Sequence, residues 1–142
     1  MKLITNAENV DVLYEDNHVI AVNKRVGDIV QGDKTGDTPL SDIVKQYLKQ
    51  KYNKPGEVFL GVVHRLDRPT TGVVLFAKTS KALARLNTMF ANKQEVQKTY
   101  WALVDAKPPV EEDTLTHWLV RNEKQNKSVA YNKEIQQSKK AV

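Results

Sequence analysis

Two apolar runs, Val58 to Val63 and Gly72 to Ala77, with a polar segment wedged between them, constrain this chain more than any other feature. Apolar runs of that length suit strands buried in a sheet. The interruption, His64-Arg65-Leu66-Asp67-Arg68-Pro69-Thr70-Thr71-Gly72, packs an acid, two arginines and a histidine into one stretch. A polar loop at the ends of buried strands is a rigid place from which to present functional groups.

The rest of the chain supplies a sheet and helices around that centre. Val10, Val12 and Tyr14 alternate, Glu15 to His18 supply turn residues, and Val19 to Val22 form a second apolar run, which together predict a hairpin. Asn23 to Asp37 is glycine-rich and charged, a loop with one short strand at Ile29-Val30. Thr38-Pro39 is a helix start, an N-cap hydroxyl followed by proline at the first helical position. Leu40, Ile43, Val44, Tyr47 and Leu48 then recur at helical spacing over 39–51, leaving Lys45, Lys49 and Lys51 to face water, and Asn53 to Gly56 ends the helix.

Ser80 is placed to cap a second helix with Leu83, Leu86, Met89 and Phe90 as its buried stripe. Further strands are predicted at Tyr100 to Val104 and Leu115 to Val120, separated by the loop at Pro108-Pro109. Arg121 to Val142 is polar and lysine-rich, with a strand beginning at Ala141-Val142. The sum is an α+β domain over 1–142, a mixed, mainly antiparallel sheet with flanking helices.

Composition narrows the chemistry. With no cysteine, disulfides, thiolate catalysis and cysteine-held metals are excluded. No run approaches the roughly 20 apolar residues of a membrane span, and the first residues hold no secretory apolar core, so a cytoplasmic location is expected. Twenty-two Lys and Arg against 17 Asp and Glu give a net charge of +5, which favours polyanionic partners.

Within the central segment Arg65 and Arg68 bracket Asp67, and a nearby cation favours the ionised carboxylate. An ionised carboxylate held in place serves as a nucleophile or a general base. An Arg-Leu-Asp-Arg run is also what an ordinary loop holding a surface ion pair looks like, and residue types alone favour that plainer reading. Residue types alone do not name a reaction.

The whole segment, however, closely resembles the signature of the RluA-type RNA pseudouridine synthases, His-Arg-Leu-Asp followed two residues later by Thr-Ser-Gly. Val19-Ile-Ala-Val-Asn-Lys-Arg-Val-Gly27 is similar to that family's first motif, and Lys98-Thr99-Tyr100 resembles the Lys-x-Tyr that follows its next helix. The resemblance runs from about Val12 to the end, and a long motif with two companions in order is a specific signal.

It implies an enzyme that converts uridine in ribosomal or transfer RNA to pseudouridine, with neither cofactor nor metal. By resemblance Asp67 is the catalytic aspartate, and Tyr100 the tyrosine that stacks on the uracil. Arg65 matches an arginine that enters the RNA stack vacated by the flipped base, a task suited to a planar guanidinium. His64, Arg68 and Lys98 are candidate RNA contacts, with His64 also read as a structural hydrogen-bonding residue.

Three departures stand out: Thr71 replaces serine, Arg25 replaces the first motif's proline, and the family's later Gly-Arg-x-His-Gln-Ile-Arg motif is absent. The expectation is therefore a catalytic domain lacking its C-terminal part and any S4-type RNA-binding module, which by itself binds RNA weakly and has little or no synthase activity. An RNA-binding remnant without catalysis, or a small-molecule hydrolase using Asp67, would be the other readings.

Overall fold

The computed structural model describes residues 4–92, 94–125 and 127–142. The chain divides into two compact units, Met1–Thr99 and Tyr100–Val142. The larger unit contains β1 (Val12–Glu15), β2 (Val19–Lys24), α1 (Leu40–Lys51), β3 (Gly61–Val62), β4 (Gly72–Ala77) and α2 (Ser80–Ala91). Its four-stranded antiparallel sheet runs in the order β1-β2-β4-β3.

The predicted hairpin forms, with Glu15 opposite Ile20. Asp16 makes the turn: its carboxylate accepts the backbone N–H groups of His18 and Val19, both at 2.7 Å. In the centre of the sheet Ile20 lies opposite Phe76 and Val22 opposite Val74. These four side chains are fully buried and cluster with Leu40, Val44 and Leu48 of α1. The helical spacing of α1 thus meets the two-residue period of β2 and β4 on one face.

Several predicted details differ. Ile29 and Val30 are buried but form no strand, because their carbonyls accept the first N–H groups of α1, Leu40 N at 2.7 Å and Ser41 N at 3.2 Å. That removes the need for a Thr38 cap: Pro39 occupies the N-cap without a side-chain hydrogen bond. At the other end Asn53, at φ 47°, closes a Schellman turn in which Lys54 N donates to Lys49 O and Asn53 N to Gln50 O. Lys51 turns back to Glu15 rather than simply facing water.

The run at Val58 yields only a two-residue strand, β3, although Val58 and Leu60 are buried beside it. Gly61 lets α2 approach closely there, since a Cβ would sit 2.8 Å from the Leu83 methyl groups and would make that side chain shift. The cap of α2 is Thr79, whose hydroxyl accepts Ala82 N at 3.1 Å, one residue before the predicted Ser80. Its apolar stripe is less covered than its spacing suggests: Ala82 is buried, Leu83, Leu86 and Phe90 are half-buried, and Met89 is exposed.

The smaller unit carries β5 (His117–Asn122), β6 (Lys127–Tyr131) and β7 (Lys139–Ala141) in an antiparallel sheet of order β6-β5-β7. The predicted strand at Tyr100 to Val104 does not form. A strand needs a second backbone to complete its hydrogen bonds, and none pairs with this stretch among the described residues. Trp101 and Leu103 stand 97% and 104% exposed. The architecture is α+β, and among the described residues no helix is long and apolar enough to cross a membrane.

Candidate active site

The signature segment leaves the end of β3 and returns into β4, so two neighbouring strands of the sheet hold its ends. Leu66 packs against the hydrophobic core, which turns its neighbours Arg65 and Asp67 outward, both exposed. The backbone then reverses in a turn closed by Thr70 N donating to Asp67 O at 3.0 Å. Gly72 follows at φ 127°, a conformation that favours glycine and lets the loop enter β4.

Behind the turn the first motif meets the signature. Gly27 N donates to Arg68 O at 2.9 Å, and the buried Lys24 ammonium donates to the carbonyls of Arg25, Arg68 and Thr70. Arg68 binds the loop that precedes α1: its guanidinium donates to Asp37 at 2.6 Å, Thr35 at 2.9 Å and Asp33 at 3.5 Å. The Asp37 carboxylate first, and Asp33 after it, raise the guanidinium's pKa against the opposing effect of burial. Arg68 therefore joins two loops, a role that its position in the motif does not announce.

His64 belongs to the sheet as much as to the loop. Its Nε2 accepts the N–H of Leu75 at 3.0 Å, and its ring stacks on Phe90 of α2 with centroids 4.9 Å apart. Lys98 sets its ammonium 5.5 Å from the centre of that same Phe90 ring. Burial, and then the charge of Lys98, lower the pKa of His64 and keep the ring neutral.

His64, Arg65, Asp67 and Arg68 thus share one loop, with Lys24 beneath it and Lys98 reaching it through Phe90. Tyr100 belongs to the smaller unit, where it is 63% exposed. The Asp67 carboxylate makes no hydrogen bond or ion pair among the described residues. Arg65 likewise makes none. A cleft of about 680 Å3 opens beside Arg68, lined also by Thr5, Gly27, Asp28 and Asp37, but Asp67 does not line it. Among the described residues no group of three or more His, Asp and Glu is placed to hold a metal ion.

A loop that holds one exposed carboxylate between an exposed guanidinium and a tethered arginine can bring a nucleophile or base to a polyanion. Residues 18–142 match the family described as RNA pseudouridylate synthase. The chain belongs to that family. It is 34% identical over 126 residues to the ribosomal large subunit pseudouridine synthase C of Buchnera aphidicola, covering 87% of this chain and 38% of that protein.

The Escherichia coli ribosomal large subunit pseudouridine synthase C is 42% identical over 93 residues, covering 66% of this chain and 27% of that protein. The tRNA pseudouridine synthase C of Pasteurella multocida is 40% identical over 94 residues, covering 66% of this chain and 36% of the relative. The synthase-family chain therefore spans between 27% and 38% of the length of these relatives. The solved structure of human RNA pseudouridylate synthase domain containing 4 shares the fold, with a TM-score of 0.75 at 22% identity over 94% of this chain and 52% of that one.

Lys24 was visible in the sequence only as part of the first motif. Its signal was periodicity: it continues the Ile20, Val22 alternation and so falls on the buried face of β2.

Proposed function

We propose that the protein isomerises particular uridines of ribosomal or transfer RNA to pseudouridine, with Asp67 as the carboxylate that acts at the sugar. The observation that carries this reading is Asp67 itself, exposed at the tip of a loop whose own backbone is fixed by Lys24, Leu66 and Gly27. The relatives named for action on ribosomal and transfer RNA support the substrate class. The reaction breaks the N1–C1′ bond of uridine, turns the uracil and joins C5 to C1′; C5 loses its proton and N1 gains one. Neither a cofactor nor a metal enters that balance.

Asp67 either adds to C1′ or takes a proton from the sugar, and both roles need the ionised carboxylate close to an extruded nucleotide. Arg65, exposed and with its donors available, is the side chain for the gap that the flipped base leaves. Tyr100 is assigned to the uracil ring, to which a phenol offers an aromatic face and a hydroxyl. His64, Arg68 and Lys98 are assigned to the rim of the RNA site, the first through its place in the loop and the other two through their charge. We read residues 1–142 as one part of the synthase's catalytic domain and place the protein in the cytoplasm, where its RNA substrates are made.

The test is Asp67→Asn in the intact protein. Isomerisation falls by at least about a thousandfold while RNA affinity stays within a few-fold. Isomerisation that survives the substitution contradicts the assignment.

A further inference from the structure

Among the described residues, one of the largest fully buried side chains is a lysine. Lys24 is the last residue of β2 and lies opposite Gly72 on the face that carries Ile20 and Val22. A methionine or leucine would pack at such a position. An ammonium there must have every donor satisfied, because burying a charge without hydrogen bonds is strongly unfavourable. Lys24 meets that condition with three backbone carbonyls: Thr70 O at 2.7 Å, and Arg25 O and Arg68 O at 3.1 Å each.

The choice of acceptors is informative. Two of the three, Arg68 and Thr70, lie one and three residues after Asp67, on the side of the loop that Leu66 does not anchor. Gly72 opposite Lys24 contributes no side chain, and the lysine ammonium reaches the carbonyls of the turn. The charge also lies within electrostatic reach of Asp67 and Asp28.

We infer that Lys24 is a positioning residue for Asp67: from the buried face of β2 its ammonium gathers the carbonyls of Arg68 and Thr70 and fixes the loop that presents the carboxylate. This rests on the reading of Asp67 as the reacting group. It adds that the first motif acts through the backbone of the signature and leaves the RNA untouched.

The test replaces Lys24 by Met, of similar length and without donors, and by Gln in the intact protein. Two readouts are taken. Amide hydrogen exchange follows Thr70 and Gly27, whose N–H groups bond to Asp67 O and Arg68 O, against the amides of the β2–β4 ladder. Steady-state kinetics on uridine-containing RNA separate kcat from KM. Lys24→Met should speed exchange at Thr70 and Gly27 by at least about tenfold while the ladder stays within about threefold. Its kcat should fall at least about tenfold with KM within a few-fold.

Unchanged exchange at both loop amides overturns the inference, and so does an unchanged kcat in a protein that does isomerise uridine. Equal acceleration through the ladder, or unfolding of both variants, overturns it too, since Lys24 would then serve the whole sheet. Exchange needs no catalysis, so a failure of the synthase reading would show as missing activity with the tether intact.

Discussion

At the scale of single residues the site is built by hydrogen bonds that fix protonation as well as position. His64 accepts the N–H of Leu75, which requires a neutral ring with its proton on Nδ1. Burial and the nearby Lys98 lower its pKa below the usual value near 6.5. A base whose pKa is lowered by folding takes up a proton more readily in the unfolded chain. The stability it contributes is therefore fully present above about pH 6.5 and is lost as pH falls through the folded value. Thermal midpoints should drop between pH 7 and 5, and His64→Gln should flatten that slope; an identical slope in the variant contradicts the assignment.

The signature was readable because each residue type does something specific: Leu66 is the inward anchor, Gly72 sits at a positive φ, and Asp67 and Arg65 are left outside. Arg68 was less readable. Its partners Asp33, Thr35 and Asp37 lie more than thirty residues away, and no local pattern names them.

Secondary-structure elements were legible where burial imposes a period. α1 and β4 show it clearly, and β4 occupies the predicted Gly72–Ala77. β6 was not predicted: all five of its residues are exposed, so nothing drives an alternation. Tyr100 to Val104 has the residues of a strand and no partner among the described residues, which shows that local preference does not make a ladder. The capping of α2 gives a direct check of element boundaries. Thr79→Ala should cost about 1 kcal/mol in urea unfolding, and Ser80→Ala clearly less; the reverse order contradicts Thr79 as the cap.

Glu15 links three elements, as its carboxylate accepts hydrogen bonds from Lys51, Lys78 and Tyr52, all at 2.7 Å. Burial pushes its pKa up, but those donors outweigh burial and hold it down at about 2. Its contribution is thus present above the unfolded value near 4.5 and lost as pH falls toward 2. Glu15→Gln should cost on the order of 2 kcal/mol at neutral pH and reduce the acid sensitivity between pH 4.5 and 2, both readable by denaturant titration. Equal acid sensitivity in the two proteins contradicts the linkage.

For the molecule as a whole, family membership was legible from one loop and its two companions, and the α+β class from the hydrophobic pattern along the chain. The physical reason is that the first motif and the signature form one hydrogen-bonded unit through Lys24 and Gly27. What sequence did not reveal is the division into two compact units, because no glycine- or proline-rich linker marks Thr99 and Tyr100.

The central claim is that Asp67 supports conversion of uridine to pseudouridine, and that reaction must break the C5–H bond of every uridine it converts. The most direct measurement is tritium release from RNA labelled at uridine C5, with the unaltered intact protein and with Asp67→Asn. We predict release matching the number of modified sites for the former and none above background for the latter. Absence of release from ribosomal and transfer RNA alike, or equal release by both proteins, would contradict the account.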